Sequence, residues 1–127
     1  MIERYSLPEM AEIWTDNYKL KTWLQVEIAV CEAQKELGKI PKQALEEIKN
    51  KANFDSKRVL EIEAEVRHDV IAFLTNVNEY VGESGRYIHL GLTSSDVLDT
   101  ALALQLTASL DLILETVEEL ILSLIHI

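Results

Sequence analysis

One cysteine, two prolines and four glycines are all that this 127-residue sequence holds of the residues that cross-link a chain or turn it sharply. Cys31 alone cannot close an internal disulfide, so the fold has to stand on packing, and a reducing cytoplasm is the expected compartment. Positive charge is also scarce: 12 Lys and Arg stand against 22 Asp and Glu, a formal net charge of −10. A surface of that sign repels phosphate backbones and anionic lipids, so neither nucleic acid nor a membrane is an expected partner. An anionic small molecule would have to be held by a few locally placed cations. There is no phosphate loop, no dinucleotide fingerprint and no G-x-S-x-G elbow. His68, His89 and His126 lie far apart, none with a second histidine or cysteine at ligand spacing, so no metal site is expected. The opening Met1-Ile2-Glu3-Arg4 lacks the charged-then-apolar pattern of a signal peptide. The most apolar run, Ala101 to Leu110, is about half a bilayer span and stops at Asp111, so no transmembrane helix is expected.

What is present is helix. Ser6-Leu7-Pro8-Glu9 has the spacing of a capping box, with a proline suited to a first turn, and predicts a short helix to about Trp14. Thr15-Asp16 starts a longer one reaching Leu37, with Leu20, Trp23, Leu24, Ile28, Val30 and Cys31 spaced mostly by threes and fours. Gly38 suits the residue after its end. Pro41 opens a Lys- and Glu-rich helix to about Ala52, and Asp55 caps another from Ser56 to about Val66. A further apolar segment runs from Val70 to Val81, followed by the glycine-bearing break Gly82–Gly85. No strand alternation and no repeat interrupts this pattern, so the expected class is all-α.

The final helix, from about Ser95, is apolar nearly all round: Val97, Leu98, Ala101, Leu102, Leu104, Leu106, Leu110, Ile113, Leu114, Val117 and Leu120–Leu122 leave no continuous polar face. Such a helix has to be buried on all sides, in a large bundle or a subunit interface. The other helices are too few and too amphipathic to surround it. Missing partners are therefore expected, from more of the same chain, from other subunits, or both, and the ending on Leu124-Ile125-His126-Ile127 reads as a truncation.

Three patches carry polar residues in settings unlike plain solvent faces. Arg4-Tyr5 pairs a bidentate donor with an aromatic hydroxyl, although taken alone it reads more simply as a solvated arginine and a packed tyrosine. Arg67-His68-Asp69 sets an anion-binding group, an imidazole and a carboxylate in a row. Neighbours on a helix point apart, so spacing by itself does not give the three one shared role. Thr93-Ser94-Ser95-Asp96 has the S/T-x-x-D/E spacing of a helix start, with more hydroxyls than capping requires. The residues can serve as caps alone, or their spare donors, the free backbone N–H groups and the helix dipole can hold an anion.

Arg4-Tyr5-Ser6, Trp14, Trp23-Leu24-Gln25-Val26-Glu27, Arg67-His68-Asp69-Val70 and the run His89-Leu90-Gly91-Leu92-Thr93-Ser94-Ser95-Asp96-Val97-Leu98-Asp99-Thr100 resemble the adenylosuccinate lyases in order and spacing. The resemblance covers the chain to about Leu122. Its most specific element is Thr93-Ser94-Ser95-Asp96; fumarases, aspartases and argininosuccinate lyases of the same fumarase/aspartase superfamily carry other versions. The carboxymuconate cycloisomerases, with threonine-serine-glutamine-aspartate, are the nearest confusable branch. The resemblance implies a small N-terminal helical domain, residues 1–93, followed by the first long helix of a central bundle, residues 94–127. It implies a β-elimination without metal or organic cofactor, which releases fumarate from adenylosuccinate to give AMP and from the succinylated ribotide SAICAR to give AICAR. It also implies a homotetramer whose active sites combine residues of three subunits.

Carried over residue by residue, Arg4 and Tyr5 would meet the nucleotide's phosphate end, and Arg67, His68 and Asp69 would line the substrate. His68 would assist orientation and proton transfer, and Thr93 and Ser94 would bind a succinyl carboxylate. Ser95 and Asp96 are expected to cap, and Arg86 and His89 to be structural. The family's principal acid, in an arginine-threonine-histidine motif, and its base, a serine on a mobile loop, both fall beyond this sequence. His126 replaces neither, and Ser123–Ile127 fits the pattern poorly and reads as a scar. The expectation is thus an N-terminal lyase fragment, inactive alone. A different class, a short helical protein that dimerises through its last helix, is the alternative.

Overall fold

Helix starts in this chain are set by side-chain oxygens where the sequence places one at the right position. In the computed structural model, which describes residues 3–127, Thr15 caps α2 (Asp16–Glu36) by accepting the Tyr18 N–H at 3.1 Å. Asp55 caps α4 (Ser56–Val66) by accepting from Lys57 N–H at 2.8 Å and Arg58 N–H at 3.4 Å. Between them lies α3 (Lys42–Lys51), and α4 is followed by α5 (Asp69–Val81), a 3-10 segment Gly82–Tyr87 and the long α6 (Ser94–Ile125). A 3-10 turn, Glu3–Tyr5, and α1 (Pro8–Ile13) precede them. No strand occurs among the described residues, and the all-α reading holds.

Two starts differ from expectation. α1 takes Leu7, not Ser6, as its N-cap, with Pro8 in the first turn and no side-chain cap bond. A serine one position early cannot reach the orphan N–H groups that a cap serves. Pro41 stands outside α3 as its N-cap: its φ of −61° suits a helix, but its ψ of 143° is extended. Gly38 does follow α2 in the left-handed region, at φ +71°. A left-handed residue also ends α4, and here it is not glycine but Arg67, at φ 54°.

The core gathers around α2 and α5. Trp23 meets Phe73 edge to face, with ring centroids 5.5 Å apart, and Phe54 closes on the other side of Phe73 at 6.2 Å. Ile48, Val59, Ile62, Val70, Val77 and Val81 belong to the same cluster, which reaches Val97 and Ala101 on α6. Burial of Phe73, at 0% exposure, contributes on the order of 2–3 kcal/mol by area removed from water. Asn76, also buried, ties the start of α4 to the later half of α5: it accepts the Asp55 N–H at 2.8 Å and donates to Glu79 at 2.9 Å, while Arg58 grips Glu79 from α4.

α6 lies antiparallel on α2. Near its start Leu90 accepts a hydrogen bond from Gln34 late in α2, and at its middle Gln105 reaches Ile13, just before α2 begins. Its buried residues, Val97, Ala101, Gln105 and Ser109, recur every fourth position as one narrow stripe. Beyond Ser109 nothing is buried, and Leu110, Ile113, Leu114, Leu120, Ile121 and Leu124 stand exposed. The missing cover expected from the sequence is therefore missing from this chain itself. By length and composition the 32-residue helix could cross a membrane, contrary to the expectation from its most apolar run, although 22% of its most apolar window is buried against protein. Asp99, Asp111, Glu115, Glu118 and Glu119 are spread along it, a pattern better suited to helices packing beside it than to lipid.

Candidate functional site

The Arg4-Tyr5 patch sits in the first 3-10 turn, where the Arg4 guanidinium lies over the Tyr5 ring, 4.8 Å from its centre. Tyr5 is 74% exposed, so this contact leaves both polar groups turned to solvent. Tyr5, Leu7 and Met10 form one wall of a groove of about 610 Å³, whose other wall is the distal part of α6 at Leu112, Val117 and Leu120.

Arg67, His68 and Asp69 form the corner between α4 and α5. Arg67 ends α4 with its N–H on the Glu63 carbonyl at 2.8 Å, in a left-handed conformation that costs an L residue about 1 kcal/mol. That turn reverses the chain and makes His68 the N-cap of α5: its ring Nδ1 accepts the Ile71 N–H at 3.4 Å. Asp69 folds back on its own helix start, with Oδ1 accepting the Val70 N–H at 2.7 Å and lying 3.5 Å from His68 Nδ1. A ring nitrogen that accepts carries no proton, so in this arrangement the neutral imidazole holds its hydrogen on Nε2 and presents it as a donor. All three residues are exposed.

Thr93 and Ser94 begin α6. The Thr93 N–H and hydroxyl both donate to Asp96 Oδ2, at 2.7 and 3.0 Å, which closes the capping box read from the sequence. Those two bonds hold the Asp96 carboxyl below its ordinary value. Ser94, half-buried in the first turn, has no hydrogen-bond partner for its hydroxyl among the described residues. With the orphan N–H groups of a 32-residue helix beside it, this is the part of the cluster free to meet an anion.

The three patches do not converge within one chain. Asp69 lines a small cavity with Asp16, Lys19 and Trp23, and so belongs beside the first half of α2. Thr93 follows closely on Leu90, which is bound to Gln34 in its second half. From Leu20 to Gln34 the helix rises roughly 21 Å at 1.5 Å per residue. The concavities lined by Asp69, by Arg67 and by Tyr5 each take residues from a single patch.

One pair escaped the sequence reading. Glu27 on α2 is 1% exposed, and its carboxylate accepts the His89 backbone N–H at 2.9 Å and faces the ring Nδ1 at 2.6 Å. Burial pushes the Glu27 carboxyl up from its ordinary value, and the bonds to His89 pull against it. The available signal was an acid at a core position: Leu20, Leu24, Glu27 and Cys31 follow the threes-and-fours of the buried face. Cys31, buried beside it, is pushed up to about 11 by burial and by the charges of Glu27 and Glu32, which removes it as a nucleophile near neutral pH.

A protein-family model described as lyase matches residues 3–126. The chain belongs to the lyase family. It is 82% identical over 121 residues, 95% of its length, to the adenylosuccinate lyase of Synechocystis sp., and 50% identical over 121 residues to that of Bacillus subtilis. It spans about 28% of the length of each of these relatives. Among solved structures, it is similar to a fumarate lyase from Mesorhizobium sp. BNC1 with a TM-score of 0.79 and 28% identity, over 86% of this chain and 26% of that one. The 3-carboxy-cis,cis-muconate lactonizing enzyme of Pseudomonas putida gives the same TM-score at 32% identity, with the same coverage of both chains. The lyase-family fold read from the sequence is therefore the fold observed.

Proposed function

We propose that this chain is the N-terminal part of an adenylosuccinate lyase, with residues 1–93 as its first domain and residues 94–127 as the start of its central bundle. The observation that carries the reading is the 82% identity to the Synechocystis enzyme, which runs over 95% of the chain. The reaction is a β-elimination. A base takes a proton from the succinyl carbon, the electron pair left behind forms the carbon–carbon double bond of fumarate, and the C–N bond breaks as an acid protonates the leaving nitrogen. Adenylosuccinate would give AMP, and SAICAR would give AICAR.

The chemistry of the exposed groups suits that reaction. Charge builds on the succinyl carboxylates as the proton leaves, and a helix N-terminus with a spare hydroxyl, at Ser94 and beside Thr93, stabilises it there without reorganising. Arg67 supplies a cation and His68 an Nε2–H donor at the α4–α5 corner, with Asp69 anchoring the turn. Arg4 and Tyr5 supply a phosphate-binding pair. No metal or organic cofactor enters the scheme. The principal acid and base would come from later in the full-length chain, so this piece alone would not turn over.

A homotetramer accounts for two observations at once. It brings patches from opposite ends of α2 together by drawing them from different protomers, and it covers the bare apolar half of α6. The working compartment would be the cytoplasm, in keeping with an unpaired Cys31.

The test is fumarate release by the full-length enzyme carrying this segment. His68→Ala is expected to cut turnover at least a hundredfold while the assembly persists; normal turnover in that variant would remove His68 from the site. A second reading, a cycloisomerase like the Pseudomonas enzyme, has the shared fold behind it at 32% identity and predicts instead turnover of a carboxymuconate. The interaction-protein alternative rests on the exposed α6 face, and it predicts that substitutions at Arg67, His68 and Ser94 leave folding and partner binding intact.

A further inference from the structure

Among the described residues that are buried, Glu27 is the only one with an ionisable acid or base on its side chain other than the thiol of Cys31. A carboxylate taken out of water needs partners that satisfy it, and both of its oxygens are spent on one residue, His89. His89 is itself unusual: it holds φ at 64°, in the left-handed region that side chains other than glycine's rarely adopt. Such a conformation persists only where the surroundings hold it. The next two residues continue the turn, with Leu92 N–H returning to the His89 carbonyl at 3.3 Å and Gly91 at φ +77°. Thr93 then caps α6.

Gln34 grips the same turn from the same helix. It lies seven residues after Glu27, two turns along one face of α2, and its side-chain amide donates to the Leu90 carbonyl. Consecutive backbone groups at His89 and Leu90 are thus clasped from α2. Only Leu90, Gly91 and Leu92 separate the Glu27 anchor from Thr93, and the Leu92 bond leaves them little slack.

We propose that Glu27 is a positioning residue for the substrate-carboxylate end of the site: by holding His89 it sets where the N-terminus of α6, with Thr93 and Ser94, stands against α2. The proposal rests on the lyase reading given above for what Thr93 and Ser94 bind. Glu27 touches no substrate. It acts through the turn.

The test uses the full-length enzyme carrying this segment, with Glu27→Ala, Glu27→Gln and, as a control for lost core stability alone, Val59→Ala on α4. Steady-state fumarate release gives KM and kcat, and amide hydrogen exchange reports the backbone of residues 92–96. Glu27→Ala is expected to raise KM at least tenfold and to speed exchange at Leu92–Asp96 at least tenfold. Glu27→Gln keeps an acceptor for the His89 N–H but loses the charge, and it should raise KM severalfold. Val59→Ala should lower the thermal midpoint and leave KM and that exchange unchanged. Wild-type KM and exchange in Glu27→Gln, or a rise in KM with Val59→Ala equal to that with the Glu27 variants, would overturn the positioning role. Should Glu27→Ala fail to fold, Glu27→Gln decides. Should the wild-type enzyme release no fumarate from a succinylated nucleotide, the lyase reading falls, while the exchange data still decide whether Glu27 holds the α6 start.

Discussion

The side chain of Gln105 donates to the backbone carbonyl of Ile13 at 2.8 Å, joining the middle of α6 to the last turn of α1 across 92 residues of sequence. Both groups are buried, and the carbonyl is one that the end of α1 leaves without a partner inside the helix. The bond fixes where α6 crosses the start of α2.

Gln105→Leu should therefore destabilise the fold by about 1–3 kcal/mol, the cost of a buried acceptor left unpaired, although leucine adds apolar surface. Urea denaturation followed by circular dichroism measures it. A midpoint equal to the parent's would show that water or a neighbour takes over the Ile13 carbonyl.

His68 offers a sharper pair of substitutions. Asparagine places its oxygen near the position of Nδ1 and can still cap α5, whereas glutamine reaches the position of Nε2 and cannot. His68→Asn should keep the thermal midpoint within a few degrees yet lose turnover, and His68→Gln should lose about 1 kcal/mol of stability while retaining more of the turnover. Thermal melts together with fumarate release separate the two ring nitrogens. The opposite ranking would place the ring proton on Nδ1.

Acid should loosen the start of α6. The Asp96 carboxyl lies below its ordinary value of 3.8 because the Thr93 N–H and hydroxyl bond to it. A carboxyl lowered by folding contributes stability that is fully present above its unfolded value and is lost as pH falls through its folded value. Melting midpoints should thus fall as pH drops below about 4, and Asp96→Asn should remove part of that slope. The rest belongs to other carboxyls held low, Glu79 by Arg58, Glu47 by Ser84 and Glu36 by Lys35. An unchanged slope in Asp96→Asn would mean the capping box does not persist in solution.

The bare half of α6 predicts self-association of the 127-residue chain. Replacing Leu110, Leu114 and Ile121 by glutamate should shift it toward a monomer in sedimentation at micromolar concentration, with little change in the melting of the Trp23–Phe73 core, since none of the three is buried. Persistence of the larger species would assign association to another surface.

Elements announced by a single local cause were legible in the sequence. Thr15, Asp55 and Thr93 each carry an oxygen at the one position that can cap, and the helices begin there. Ser6 shows the limit, because a capping pattern shifted by one residue reads the same on paper while the chain caps elsewhere. The end of α4 at Val66 is legible too, but not the left-handed turn of Arg67 that closes it, since nothing but tertiary context makes an arginine adopt the conformation that glycine usually takes. The candidate patches were legible by residue type, but their separation was not. That distance follows from α6 lying antiparallel to α2, a pairing that no spacing along the sequence encodes. The Glu27–His89 pair was hidden for the same reason, 62 residues apart in the chain and in contact in the fold.

The narrow buried stripe of α6 has a mechanical consequence. The helix is a stiff rod, seated at Val97 and Gln105 about 12 Å apart, with its far end at Ile125 about 42 Å from the first of these points. Pivoted at Val97, a shift of about 1 Å at Gln105 swings that far end by about 3.5 Å, more than half the width of a leucine side chain. A change in the size of the few residues under the rod is thus amplified at its exposed tip. The tightly seated residues at Ala101, Gln105 and Ser109 are the aiming mechanism of the whole helix.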